Sequence, residues 1–313
     1  MNILVTGGCG FIASNFIEYL FANHDEEIKT LLNIDCLNYC SSTRILKTNP
    51  EKYHFIKGNI TNYDILKFIL EKYEINTVVH LAAQSHVDNS FEAEKTLQYT
   101  IDNVLGTHTL MQACKDYGKV KKILHMSTDE VYGEVDLENK GCKEIDILNP
   151  TNPYAATKAG AEFIVRSYYH SYKMPVLIVR CNNVYGPHQF PEKLIPKFIN
   201  LAKRNEKLTI HGRGDTRRNF IWVDDVSSAL FLILQKGNFS SEIYNIGTEN
   251  EYTVNQVADI ILSFLKKEKD ENKQFIEDRP FNDFRYAINV QKLKELGWEE
   301  KHTDFVENIK SLF

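Results

Sequence analysis

Two short stretches carry side chains that could do chemistry together: Tyr154-x-x-x-Lys158 and Thr128-Asp129-Glu130. Four residues apart on a helix, a phenol and an ammonium share one face, and the cation favours the phenolate, lowering a pKa that is ordinarily ~10. That pairing turns a tyrosine into a base. The spacing also occurs at Tyr53/Lys57, Tyr63/Lys67, Tyr117/Lys121 and Tyr169/Lys173, so the setting has to select among them. Only Asn152-Pro153-Tyr154-Ala155-Ala156-Thr157-Lys158-Ala159-Gly160-Ala161 opens a helix at a proline and surrounds the pair with small residues that let a ligand come close. Asp129 and Glu130 are adjacent carboxyls that can split acid and base work if their surroundings separate their pKa values. Asp25-Glu26 and Asp270-Glu271 read as solvated turns, whereas Asp129-Glu130 follows an apolar run and precedes Tyr154.

A third stretch, Gly7-Gly8-Cys9-Gly10-Phe11-Ile12-Ala13, lies between an apolar run and a helical pattern. Glycines there let the backbone approach a pyrophosphate seated on the helix N-terminus, and Ala13 is small enough to keep helix and strand close. Asp35 stands 22 residues beyond Ala13, where a carboxylate accepts from ribose hydroxyls. A 2′-phosphate would meet that carboxylate as a like charge, so the reading is NAD rather than NADP.

The elements that must hold these groups follow from periodicity. Asn2 to Thr6, Thr30 to Ile34, Tyr53 to Lys57, Asn76 to Leu81, Lys121 to Met126 and Pro175 to Arg180 are short Ile/Val/Leu-rich runs. Helical spacing fills Phe11 to Phe21, Asp64 to Tyr73, Thr96 to Tyr117 and Tyr154 to Tyr172. This alternation predicts an α/β fold with a doubly wound parallel sheet, in which Ser127 to Gly133 project beyond a strand's carboxyl end into the ligand crevice. Beyond residue 181 prolines and glycines loosen the pattern until amphipathic stretches at Asp224 to Leu234 and Asn255 to Lys267. The expected division is a cofactor domain at 1–180 and a substrate domain at 181–313, with part of 215–250 returning to the sheet.

The 313 residues, 43% hydrophobic and 25% charged, exclude a disordered or collagen-like chain. A net charge of −5 gives no global positive field to recruit nucleic acid or anionic membrane. Six scattered cysteines without a C-x-x-C read as free thiols, and no metal site is expected. With no apolar run near the ~20 residues needed to span a bilayer and no leader pattern, a cytoplasmic location is expected.

The glycine motif, Tyr154 and Lys158 resemble the extended short-chain dehydrogenase/reductase superfamily over nearly the whole chain. Within it, Leu81 to Asp88, Ser127 to Gly133, Asn182 to Pro187 and Phe190 to Pro196 resemble the nucleotide-sugar 4,6-dehydratases, the Thr-Asp-Glu triplet being the discriminating piece. The resemblance implies a Rossmann domain, a smaller sugar-nucleotide domain, bound NAD and a homodimer pairing the helices at Thr96 to Tyr117 and Tyr154 to Tyr172. It implies cofactor contacts from Gly7, Gly10, Phe11, Ile12, Asp35, Asn38, Asn59, Ile60, Ala82, Ala83 and Val184 beside Tyr154 and Lys158. Substrate contacts are implied for Ser85, Thr128, Asn183, Lys193, Leu194, Arg218, Arg279 and Asn282, while His86 reads as a structural hydrogen-bonding group.

The chemistry expected of such a site is C4 oxidation with Tyr154 as base and Thr128 holding the oxygen. Glu130 then takes the C5 proton, and Asp129, kept protonated, gives a proton to the departing C6 hydroxyl. Epimerases and decarboxylases of the superfamily share the oxidation step, but an epimerase needs no acid and base at C5 and C6, and a decarboxylase needs a cation for its uronate. A cofactor-binding regulator would not need the intact set. Asn182-Asn183-Val184-Tyr185-Gly186-Pro187 and Arg279-Pro280-Phe281-Asn282-Asp283 depart from the thymidine-nucleotide branch, with its Ser-Asn-Asn-Tyr-Gly-Pro and Arg-Pro-Gly-His-Asp. These variants resemble UDP-glucose 4,6-dehydratases of UDP-rhamnose synthesis and favour UDP-glucose over dTDP-glucose. A separate epimerase/reductase is then expected downstream, because the chain ends after one such unit. Gln84 and Asn59 also depart from the usual Glu and Asp.

Overall fold

The computed structural model describes residues 1–278 and 281–313. Its strands are β1 (Asn2–Thr6), β2 (Thr30–Asp35), β3 (Tyr53–Lys57), β4 (Thr77–His80), β5 (Lys122–Thr128), β6 (Val176–Cys181), β7 (Asn183–Tyr185), β8 (Leu208–His211), β9 (Arg217–Trp222), β10 (Ser240–Ile246), β11 (Glu251–Thr253) and β12 (Lys273–Ile276). Between them run α1 (Phe11–His24), α2 (Tyr63–Lys72), α3 (Val87–Ser90), α4 (Thr96–Tyr99), α5 (Gly106–Tyr117), α6 (Pro153–Tyr172), α7 (Leu194–Lys203), α8 (Val223–Lys236), α9 (Val254–Phe264), α10 (Gln291–Glu295) and α11 (Phe305–Lys310).

Seven strands form one parallel sheet in the order β10-β6-β5-β4-β1-β2-β3. Side chains of a strand alternate between faces, and β1 shows the consequence: Ile3 and Val5 pack with α1 and α8, while Leu4 packs with α2 and α5. Both faces are covered, which is why these strands read as continuous apolar runs. The reversal in strand order lies between β1 and β4, so the carboxyl ends of β1, β4 and β5 open onto a crevice.

The doubly wound parallel sheet expected from the sequence is therefore the fold. Differences are local. The predicted helix Thr96 to Tyr117 is α4 and α5 joined by a π-helical segment, Thr100–Leu105, in which Asn103 is buried. Past residue 181, β7, β9 and β11 form a three-stranded sheet and β8 pairs with β12, pairings whose three- to six-residue strands leave little periodicity to read. A separate core of Tyr185, Ile195, Phe198, Trp222, Ile261 and Phe305 holds this part together. β10 crosses back to pair with β6, and α8 packs beside α1. All six cysteines are free thiols.

Candidate active site

The crevice is a cavity of about 440 Å³ running from the glycine turn to Tyr286. At one end Gly7 has φ +71°, and a Cβ there would stand 2.6 Å from the Ala82 Cα, so the turn tolerates no side chain. The Gly7 amide donates to the Ile34 carbonyl at 2.8 Å, which aims the turn at the N-terminus of α1. That helix has no side-chain cap and no acidic residue in its first turn, leaving its amide donors and positive dipole end for an anion. Asp35, at the end of β2, is held by the Cys9 amide (3.0 Å), the Leu37 amide (2.7 Å) and the Ser41 hydroxyl (3.0 Å), and lines the cavity. Gly10, Phe11, Ile12, Asn38, Asn59, Ile60, Ala82, Ala83 and Val184 line it as well. An uncapped helix start, a glycine cradle and a fixed carboxylate fit a dinucleotide.

Both departures in this half have local partners. Gln84 Nε2 donates to Asp102 at 2.7 Å, where a glutamate would face a like charge. Asn59 Oδ1 accepts from the Thr61 amide at 2.9 Å.

The catalytic candidates meet in the middle. β5 ends at Thr128, and a single 3-10 turn, Asp129–Tyr132, carries the two carboxyls. Asn152 does two jobs: its Oδ1 caps α6 by accepting from the Ala155 amide at 2.8 Å, and its Nδ2 donates to Glu130 Oε2 at 2.9 Å. The residue that starts the Tyr154 helix thus also positions Glu130. Thr128, Glu130, Tyr154 and Lys158 line the cavity. Asp129, 2% exposed, lies behind that wall, where Asn182 Nδ2 donates to it at 2.8 Å and the Thr128 hydroxyl at 3.2 Å.

Burial raises both carboxyls, Asp129 to about 6 and Glu130 to about 7. The Asn182 amide restrains the first and the Asn152 amide the second, while the Asp129 charge pushes the second further. One correction concerns the Tyr-Lys pair. Burial and the Glu130 charge push the Tyr154 phenol above its ordinary value, with only the Thr128 hydroxyl opposing them among the leading causes. Lys158 Nζ instead donates to the Met126 carbonyl at 2.6 Å, and burial lowers it to about 8.

Toward the far end, Ser85, Asn183, Lys193, Leu194, Arg218 and Asn282 line the cavity. Lys193 Nζ donates to the Ser85 carbonyl at 2.9 Å. Arg218 donates to the Asp283 carbonyl (2.9 Å) and to Asn282 Oδ1 (3.3 Å), its guanidinium 4.7 Å from the Tyr286 ring centre. Arg279 lies outside the described residues. Among the described residues no cluster of three His, Cys, Asp or Glu side chains could hold a metal, and no helix is long and apolar enough to cross a membrane.

Sequence reasoning missed several members. Asn152 and Asn182 stand inside the motifs quoted for Tyr154 and Asn183 but were given no role. Ser127 Oγ, Thr209 Oγ1 and His211 Nδ1 are buried in cavity-lining residues, without hydrogen-bond partners among the described residues. Beneath Lys158, His125 has no partner for either ring nitrogen, and its ring stands 5.0 Å from His80, which joins Thr6 (2.7 Å) to Thr107 (2.9 Å). A histidine at matched positions of two apolar strands was the available signal.

Against known proteins, residues 4–312 match the GDP-mannose 4,6 dehydratase family. The chain belongs to that family. It is 46% identical, over 96% of its length, to the trifunctional UDP-glucose 4,6-dehydratase/UDP-4-keto-6-deoxy-D-glucose 3,5-epimerase/UDP-4-keto-L-rhamnose-reductase of Arabidopsis thaliana, of which it covers 45%. It spans about half the length of such trifunctional relatives. To the dTDP-D-glucose 4,6-dehydratase of Dictyostelium discoideum it is 42% identical, covering all of this chain and 80% of that protein. The fold superposes on the dTDP-glucose 4,6-dehydratase of Streptomyces venezuelae, crystallised with NAD, with a TM-score of 0.92, 34% identity and coverage of 99% and 96% of the two chains. The UDP-glucuronic acid 4-epimerase of Bacillus cereus, also crystallised with NAD, matches with a TM-score of 0.89, 28% identity and full coverage of both chains. The dehydratase family and the short-chain dehydrogenase/reductase fold expected from the motifs are thus confirmed.

Proposed function

We propose that the chain is an NAD-dependent nucleotide-sugar 4,6-dehydratase, a hydro-lyase converting UDP-glucose to UDP-4-keto-6-deoxyglucose. The observation that carries this reading is the buried Asp129-Glu130 pair opposite Tyr154. Carboxyls raised to about 6 and 7 share one proton near neutral pH, so a single site holds an acid and a base together. Removing water across C5 and C6 needs both; 4-epimerisation needs neither.

Gly7, Gly10 and Asp35 would hold NAD, which would supply a hydride acceptor that takes the hydride from C4 and returns it to C6 after water is lost, with no net redox change. Thr128 holds the C4 oxygen and favours the Tyr154 phenolate, which takes the C4 hydroxyl proton after losing its own to solvent; the C4 ketone makes the C5 proton acidic. Glu130, on the cavity wall, takes that proton. Asp129 then protonates the departing C6 hydroxyl, which leaves as water. Arg218 and Lys193 bind the diphosphate, Arg218 through its planar fork of donors. The variants at Asn182, Val184, Phe281 and Asn282 support uridine as the nucleoside.

Leu97, Ile101 and Leu105 are exposed four residues apart along one helix, with Phe163 exposed on the adjoining α6. That apolar stripe supports a homodimer through these helices.

Incubation with UDP-glucose and dTDP-glucose in D₂O, read by mass spectrometry, tests the activity. Loss of one water with one deuterium gained at C5 is expected, faster from UDP-glucose. Unchanged mass with a 4-epimer formed would refute dehydration.

A further inference from the structure

Three loops meet above the cavity at one hydroxyl. Tyr39 Oη donates to Glu192 Oε1 at 2.8 Å and accepts from Asn89 Nδ2 at 3.0 Å, and its ring stands edge-on to Phe190 with centres 5.6 Å apart. Tyr39 lies at the tip of the loop that follows β2, and that loop is pinned at both feet to one atom. The Leu37 amide (2.7 Å) and the Ser41 hydroxyl (3.0 Å) both donate to Asp35 Oδ1. Glu192 precedes Lys193, which in turn reaches the Ser85 carbonyl at 2.9 Å, and the His86 Nδ1 stands 3.9 Å from the same Glu192 oxygen. Asn38, Cys40 and Ser41 on one loop, and Phe190 and Glu192 on the other, line the cavity beneath. The Tyr39 bridge therefore joins the Asp35 side of the cavity to the Lys193 side across its mouth. Half of the Tyr39 surface faces solvent, so the contact does little for the core; its hydroxyl serves the crossing.

We infer that Tyr39, clasped to Glu192, is a positioning residue that holds the nicotinamide cofactor in the cavity between turnovers. The inference rests on the reading of this cavity as an NAD site. A dehydratase of the proposed kind returns its cofactor to the starting oxidation state each cycle, so cofactor lost mid-cycle is a wasted turnover and a closed mouth has a use. Because the clasp pulls on the two donors of Asp35 Oδ1, opening it loosens the carboxylate that would hold the ribose.

The test measures NAD release by stopped-flow dilution of the NAD-loaded full chain, in Tyr39→Phe, Glu192→Gln, Glu192→Ala and the Tyr39→Phe/Glu192→Ala double variant. A hydrogen bond to a charged acceptor in this range corresponds to roughly tenfold or more in a rate or equilibrium constant, so release from Tyr39→Phe and Glu192→Ala is expected to be about tenfold faster. Glu192→Gln, which keeps an acceptor oxygen but loses its charge, is expected between wild type and Glu192→Ala, and the double variant no faster than either single one. At saturating NAD, kcat of Tyr39→Phe is expected to stay within about twofold of wild type while the apparent KM for NAD rises, a split that general destabilisation does not produce. Cofactor-free melting temperatures equal to wild type complete the expected pattern. Equal NAD release from wild type and Tyr39→Phe overturns the clasp while leaving the NAD site standing; a wild-type chain that binds no NAD overturns both.

Discussion

Lone side chains at this site do several things at once, and their substitution separates the steps. Tyr154→Phe keeps the packing but removes the hydroxyl, so NADH formation and product formation are expected to fall together by about 10²–10⁴-fold, measured by absorbance at the reduced nicotinamide band. Glu130→Gln is expected to oxidise C4 and stall, so bound NADH accumulates while dehydration drops to a similar degree; a wild-type dehydration rate would remove Glu130 as the C5 base. The raised carboxyls also have a stability signature. Their folded pKa values of about 6 and 7 lie above the unfolded ~4, so the native state binds more protons and stability falls as pH rises from about 4 to 7. Asp129→Asn and Glu130→Gln are therefore expected to melt a few degrees higher than wild type at pH 8, with the gain vanishing toward pH 4. Turnover is expected to peak between about pH 6 and 7: below that range both carboxyls are protonated and no base remains, and above it both are ionised and no acid remains.

Elements place these groups through their ends. α6 begins where Asn152 both caps it and holds Glu130, so Asn152→Ala removes a cap at a cost of about 1 kcal/mol and an amide that favours the Glu130 carboxylate. The alkaline limb of the pH–rate profile is accordingly expected to move to higher pH, checked by kcat/KM across pH 5–9. β5 presents its whole polar end, Ser127 to Glu130, because the strand stops at the crevice rather than continuing. The π-helical segment turns Asn103 inward, where its Nδ2 donates to Thr157 Oγ1 (2.9 Å) and its Oδ1 accepts from the Gln84 amide (2.8 Å), tying the Ala82-Ala83 loop to α6. An ideal α-helical reading of Thr96 to Tyr117 hides that inward turn. Gly7→Ala adds a Cβ onto the Ala82 backbone at positive φ, and NAD affinity is expected to fall by about tenfold or more in calorimetry.

At the scale of the whole molecule, the sheet unites the site and the helices beside it offer an interface. A charge in the exposed stripe tests the proposed dimer: Ile101→Glu is expected to halve the mass in light scattering, with the sheet's circular dichroism unchanged. The parallel sheet, the glycine turn and the Tyr154 helix were legible in the sequence because each is a local pattern. Parallel strands buried on both faces must be apolar throughout, a phosphate turn must be glycine, and a helix keeps residues four apart on one face. What depends on distant segments was not legible. That Lys158 spends its ammonium on the Met126 carbonyl, that both Asp129 and Glu130 are raised, and that Asn182 and Asn152 restrain that rise all follow from burial and from partners more than 20 residues away along the chain. Residue types and spacing determined which groups could react; only the tertiary structure decided their charges, because desolvation and hydrogen bonding act through space and leave no period in a sequence.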